Sequence, residues 1–134
     1  LGRPFSLTGE IHAGAGRGRT ILFPTLNLAP EQELLPKLGV YATESVVGGK
    51  TYASVTNVGT RPTFNGASVT VESHLFEFQD NLNIGRMEVK FHSRIRDEQK
   101  FPGVDALRAQ IARDIEAARR FFAERAPAGN YSGH

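Results

Sequence analysis

The sequence predicts a mainly β domain, a barrel or sandwich of short strands joined to one long C-terminal helix. Over the first two-thirds, apolar and polar residues alternate between clusters of Gly, Pro, Asn and Asp, the period-two pattern of strands with one buried face. The period then changes. Val104, Leu107, Ile111, Ile115, Ala118 and Phe122 recur at three- and four-residue steps, the stripe of a single amphipathic helix. At 134 residues the chain has single-domain length and can bury a core without disulfide or metal staples.

The elements follow in order. Phe5-Ser6-Leu7-Thr8-Gly9-Glu10-Ile11-His12 alternates as a strand and runs into a glycine-rich loop. Residues 30–36, bounded by prolines, read as a connection with at most one helical turn. Residues 40–47 and 51–56 flank Gly48-Gly49, and a Gly-Gly pair between alternating runs signals a tight hairpin. Asn57-Val58-Gly59-Thr60-Arg61-Pro62-Thr63-Phe64 is dense in turn formers and reads first as a structural loop. Residues 69–78 and 87–95 read as two further strands around a polar turn at Asp80-Asn81.

On the helix, Arg108, Arg113, Arg119 and Arg120 alternate with Asp105, Asp114 and Glu116, which reads as a solvated surface laced with i,i+3 and i,i+4 pairs. Residues 126–134 read as a loose tail, so the expected domain is 1–125.

Composition narrows the chemistry. Hydrophobic residues make up 40% and charged residues 22%, and there is no cysteine; a disulfide framework and a thiolate metal site are both excluded. No apolar run approaches the ~20 residues of a membrane-spanning helix, and no signal-peptide pattern opens the chain. A cytoplasmic protein with no membrane partner is expected. The net charge is only +2 although 12 of the 16 basic residues are arginine. Nucleic-acid binders usually carry a stronger basic stripe with interleaved aromatics, so no nucleic-acid partner is expected. The chain begins at Leu1 rather than methionine, as expected of a piece of a longer protein.

The richest stretch for chemistry is Gly14-Ala15-Gly16-Arg17-Gly18-Arg19 followed by Phe23-Pro24-Thr25-Leu26-Asn27. Glycines let backbone N–H groups approach an anion, and arginine adds charge and a fork of donors. The Thr25 hydroxyl and Asn27 carbonyl oxygen are hard ligands suited to magnesium, and two residues of extended backbone put both on one face. A turn in which Thr and Asn cap backbone groups is the alternative reading. Residues 13–20 nearly match a Walker A loop, but the first glycine and the lysine are missing and no helix follows.

Glu72 sits mid-strand on the face shared by Thr70, His74 and Phe76. If that face points into the barrel, burial raises its pKa and makes it a candidate general base; if it points outward, Glu72 reads as a cross-strand partner for lysine or arginine. Arg96-Asp97-Glu98-Gln99-Lys100-Phe101 precedes the helix. Its aromatic among charged donors either clamps a flat polar ring or anchors the helix start.

Together these segments resemble the riboflavin kinase (flavokinase) family. The pieces that carry the resemblance are residues 14–19, the Phe23-Pro24-Thr25-Leu26-Asn27 turn, the Asn57 to Phe64 segment, Val71-Glu72-Ser73-His74-Leu75-Phe76 and Ile95-Arg96-Asp97-Glu98-Gln99-Lys100-Phe101, in the family's order. Leu1-Gly2-Arg3-Pro4 resembles the segment that joins this module to an N-terminal FMN adenylyltransferase in bacterial bifunctional FAD synthetases.

The resemblance implies a six-stranded Greek-key β-barrel with a long C-terminal α-helix, and transfer of the ATP γ-phosphate to the ribityl 5′-hydroxyl of riboflavin, giving FMN and ADP. It places Gly14, Gly16, Gly18 and Arg19 along the nucleotide phosphates, and Thr25 and Asn27 at Mg²⁺. Glu72 becomes the base that takes the hydroxyl proton. Leu75, Glu77 and Ile84 fall near the nucleotide, and Arg96, Gln99 and Phe101 border the flavin. The family commonly has Gly where Leu22 stands and Ala where Leu26 stands. A barrel that binds flavin or nucleotide without catalysis is the rival reading.

Overall fold

The computed structural model of the chain describes residues 5–12, 26–30, 35–64, 66–77 and 85–125. Six strands, β1 (Phe5–His12), β2 (Leu26–Pro30), β3 (Gly39–Val47), β4 (Lys50–Thr63), β5 (Gly66–Leu75) and β6 (Arg86–Arg96), precede one helix, α1 (Val104–Arg125). The strands close into a barrel in the order β1-β2-β5-β4-β3-β6, every pair antiparallel. β3, β4 and β5 follow one another as hairpins, while β2 lies beside β5 across the intervening two strands, the Greek-key arrangement.

Alternation decides which side chains fill the barrel. Leu7, Ile11, Leu28, Tyr41, Val47, Val58, Val71, Leu75, Met87, Val89 and Phe91 form its interior core. Threaded through them is a chain of fully buried hydroxyls on β3, β4 and β5. Ser45 bonds Ser54 at 2.8 Å, Ser54 bonds Thr43 at 2.7 Å, Thr43 bonds Thr56 at 2.8 Å and Thr56 bonds Ser73 at 2.6 Å. A buried hydroxyl without a partner costs about 1–3 kcal/mol; here each has a neighbour one strand away, so the set is satisfied only in this register.

Three glycines are required by the backbone. Gly48 and Gly49 have φ of 59° and 80°, the left-handed pair that a two-residue hairpin turn requires. A Cβ on Gly9 would stand 1.9 Å from the Ala29 carbonyl oxygen, so only glycine lets β1 and β2 approach.

Helix α1 packs on the outside of β3, β4 and β6. Its Ala118 and Phe122 meet Val40, Ala42, Val55 and Phe76, with Ile115 and Phe121 at the border. Gly103 accepts the Leu107 N–H at 3.1 Å to start the first turn, and Asp105 lies where the helix dipole favours an anion. Val104, the first residue of the predicted stripe, is 48% exposed; the stripe is buried only toward its C-terminal end. Under that end, His92 and Glu44 pair at 2.9 Å, and the His92 ring packs edge-on against Phe122.

Three expectations need correction. Residues 57–63 are not a loop: β4 continues through Thr63 and pairs with β5 in unbroken register from Ser54↔Leu75 to Thr63↔Gly66. Individual turn preferences yield there to continuous pairing with β5. The following strand accordingly spans Gly66–Leu75 rather than 69–78. Asp114 is not part of a solvated surface, being 3% exposed.

Candidate functional site

Glu72 lies on the outer face of the barrel, because Val71 and Ser73 on either side of it point into the interior. The expectation that this face points into the barrel therefore does not hold, and neither does a simple cross-strand ion pair. Its register partners are Asn27 on β2 and Asn57 on β4. Residues directly opposite on antiparallel strands share a face about 4.5–5.5 Å apart, so the three side chains make one row, Asn27–Glu72–Asn57, across three adjacent strands.

The flanking amides have an unusual feature. Asn27 Oδ1 and Asn57 Oδ1 are both buried and have no hydrogen-bond partner among the described residues. An orphaned buried acceptor costs about 1–3 kcal/mol, and native folds keep few of them outside functional sites. Two such oxygens beside one carboxylate make an array of acceptors that calls for hydroxyl donors or a cation. Leu26, the neighbour of Asn27, packs against the interior core, so its bulk is directed away from this row.

The second half of the site is the segment between β6 and α1. Arg96 at the end of β6 donates from Nε to Asp114 Oδ1 at 2.9 Å and from Nη2 to Oδ2 at 2.8 Å. Its Nη1 donates to the Asp97 carbonyl at 3.0 Å, and Gln110 adds a 3.0 Å bond to Asp114 Oδ1. The guanidinium carbon stands 5.7 Å from the centre of the Phe101 ring, within cation–π range. Arg96 thus pins the helix to the barrel and holds Phe101 at once. Gln99 is exposed in the same segment. Arg94 pairs with Asp97 at 2.7 Å and, through that hydrogen bond, holds the Asp97 carboxyl below its usual pKa.

Glu98 joins the two halves. Its Oε2 accepts a long hydrogen bond from Thr60 N–H at 3.4 Å, and a Cβ on Gly59 would come within 2.4 Å of the same oxygen. Gly59 leaves room for the Glu98 carboxylate to lie against β4 in this position, two residues from Asn57 on the same face.

The other candidates divide. Leu75 is turned into the barrel core and 5% exposed, so its side chain does not face the outer row. Glu77 is exposed, just past β5, with φ of 60°, a left-handed conformation that non-glycine residues hold at a cost and that clusters at functional sites. Arg119 of α1 lies over the Phe76 ring beside it, 4.5 Å from the centroid. Gly14, Gly16, Gly18, Arg19, Leu22, Thr25 and Ile84 fall outside the described residues, as do Leu1 to Pro4 and the tail 126–134.

Sequence reading named Asn27, Glu72, Arg96, Gln99 and Phe101 but missed Asn57, Glu98 and Asp114 as parts of one site. The signal for Asn57 was present. Ser54, Thr56 and Val58 carry the alternation of β4 into the supposed loop, which puts Asn57 on the outward face.

A family model described as "Flavokinase: Riboflavin kinase" matches residues 1–122. The chain belongs to the riboflavin kinase family. A bifunctional riboflavin kinase/FMN adenylyltransferase of Haemophilus influenzae is 42% identical over 123 residues, covering 91% of this chain and 40% of that protein. The chain spans about 40% of the length of the curated relatives it matches.

Among solved structures, a riboflavin kinase from Trypanosoma brucei superposes with a TM-score of 0.63 at 20% identity, over 92% of this chain and 82% of that one. This likeness bears on the fold. A Streptococcus pneumoniae protein described as a macrolide-efflux protein superposes with a TM-score of 0.79 at 33% identity, over 87% of this chain and 38% of that one. Among the described residues of this chain, no helix is long and apolar enough to cross a membrane.

Proposed function

We propose that this chain is the kinase module of a cytoplasmic bifunctional enzyme, transferring the γ-phosphate of ATP to the 5′-hydroxyl of riboflavin to give FMN and ADP. A preceding FMN adenylyltransferase module in the full-length protein belongs to the same proposal. The observation that carries the reading is the row Asn27–Glu72–Asn57, a carboxylate held between two buried, unpartnered amide oxygens.

The roles follow from position. Glu72 accepts the proton of the ribityl 5′-hydroxyl as that oxygen bonds to the γ-phosphorus. The bond from the γ-phosphorus to the β–γ bridging oxygen breaks, and ADP leaves with the electron pair. In phosphoryl transfer, alignment and charge neutralisation supply most of the rate, so a half-buried carboxylate serves chiefly by orienting the hydroxyl.

The unpartnered Asn27 Oδ1 is the hard oxygen a magnesium ion prefers, and Thr25 would hold the ion with it. A bound Mg²⁺ would neutralise charge on the ATP phosphates. Gly14, Gly16, Gly18 and Arg19 would lie along those phosphates, with Leu75, Glu77 and Ile84 near the rest of the nucleotide. On the flavin side, Phe101 offers a ring face and Gln99 an exposed amide. Arg96, with three donor contacts already committed, acts by holding Phe101 in place.

The test is riboflavin phosphorylation by the purified protein with ATP and Mg²⁺, beside Glu72→Gln and a metal-free control. Loss of general-base assistance is worth about 10²–10⁴ in rate, so kcat of Glu72→Gln falls by that order while ATP affinity changes little. Unchanged turnover removes Glu72 from the mechanism. Flavin binding with no ATP-dependent turnover in the unaltered protein favours a silent barrel instead.

A further inference from the structure

The two unpartnered amide oxygens are not equivalent. Asn27 is on β2, the strand reached directly from the glycine-rich segment 13–25, whereas Asn57 is on the opposite side of Glu72, on β4. Two residues along from Asn57 on the same face, Gly59 accommodates Glu98 of the segment that carries Gln99 and Phe101. The row therefore runs from the phosphate side to the flavin side with Glu72 in the middle. The Asn57 amide is oriented along it. Its Nδ2 lies 3.6 Å from where a Gly59 Cβ would stand, on the Glu98 side, and its Oδ1 is the buried atom left without a donor.

Resting on the riboflavin kinase reading, we infer that Asn57 is a specificity residue for the polyol chain, its Oδ1 accepting a hydrogen bond from a secondary hydroxyl of the ribityl group. A substrate whose terminal hydroxyl sits at Glu72 extends its carbon chain toward the flavin side. One strand spacing, about 4.8 Å, is the span of a few carbon–carbon bonds, so an interior hydroxyl of the chain reaches the Asn57 level. The ligand class is a hydroxyl donor rather than a cation, because Asn27, the amide oxygen assigned to magnesium, lies beyond Glu72 on the β2 side. A buried acceptor built to meet a substrate hydroxyl rejects an analogue lacking that hydroxyl, since the acceptor is then left unpaired.

The experiment compares riboflavin with its 2′-, 3′- and 4′-deoxy analogues on the unaltered protein and on Asn57→Ala, reading kcat/KM and, separately, flavin binding by fluorescence quenching. For the unaltered protein, kcat/KM falls about tenfold for one deoxy analogue, the size of one hydrogen bond. Asn57→Ala loses about the same factor on riboflavin and no longer distinguishes that analogue from riboflavin. The KM for ATP and the Mg²⁺ requirement stay unchanged.

Indifference of the unaltered protein to all three deoxygenations overturns the inference whatever the variant does. So does an Asn57→Ala defect equal on all four flavins, or one that appears in the ATP or metal titration. Should the unaltered protein fail to phosphorylate riboflavin, the kinase reading falls. The quenching data then still decide between a hydroxyl contact at Asn57, shown by selective loss of affinity, and none.

Discussion

Replacing Asp114 with alanine leaves the Arg96 guanidinium facing a gap under α1. Asp114 is 3% exposed and receives three hydrogen bonds, two from Arg96 and one from Gln110. Breaking a buried ion pair by deleting one partner costs about 3–5 kcal/mol, mostly through the uncompensated charge. The Arg96 side chain is 19% exposed, so water reaches the freed guanidinium and the lower end, about 3 kcal/mol, applies. Domain stabilities are about 5–15 kcal/mol; the variant folds but is weakened. With an m-value of about 2 kcal/mol per molar urea, the midpoint moves down by about 1.5 M. Adding Arg96→Ala to Asp114→Ala costs far less than the sum of the single changes, because the second deletion removes the stranded charge. The same change frees Phe101 and raises the KM for riboflavin while that for ATP holds. A urea shift under about 0.5 M, or additive single and double variants, would refute the reasoning and reduce the pair to a surface contact.

Other perturbations separate barrel from site. Gly9→Ala drives a Cβ into the Ala29 carbonyl oxygen and lowers stability by about 1–3 kcal/mol, as overpacking does; an unchanged melting temperature would mean that β1 and β2 separate freely. Thr56→Val strands Ser73 and removes one of the two partners of Thr43, which keeps its bond to Ser54. It costs about 1–3 kcal/mol without altering either KM, and a change in KM would instead tie the interior hydroxyls to the site. Thr25→Ala raises the Mg²⁺ concentration needed for half-maximal rate, and an unaltered metal titration counts against its ligand role.

The elements read most surely from sequence are those fixed by local pattern. The 104–125 helix announced itself by its period, and the Gly48-Gly49 turn by the left-handed backbone both residues need. What failed were inferences in which long-range pairing outweighs local preference. Asn57, Gly59 and Pro62 each favour a turn in isolation, yet all lie in β4 because β5 offers a complete ladder opposite them. Asp114 looked like one more charge on a salt-bridged helix. Its partner, Arg96, is 18 residues away, beyond any helical spacing rule.

The site shows the same division, with a consequence for how it works. Asn27, Glu72 and Asn57 are far apart in sequence, and it is the strand register that makes them neighbours. That register is set inside the barrel, where the hydroxyls of Thr43, Ser45, Ser54, Thr56 and Ser73 bond one another. A one-residue slip of β4 against β5 would turn every side chain of the strand to the opposite face. It would strand the buried hydroxyl chain and carry Asn57 into the core. The interior polar chain and the outer row of acceptors are thus two faces of one constraint: Thr56 and Ser73 lock the same β4–β5 alignment in which Asn57 and Glu72 stand side by side.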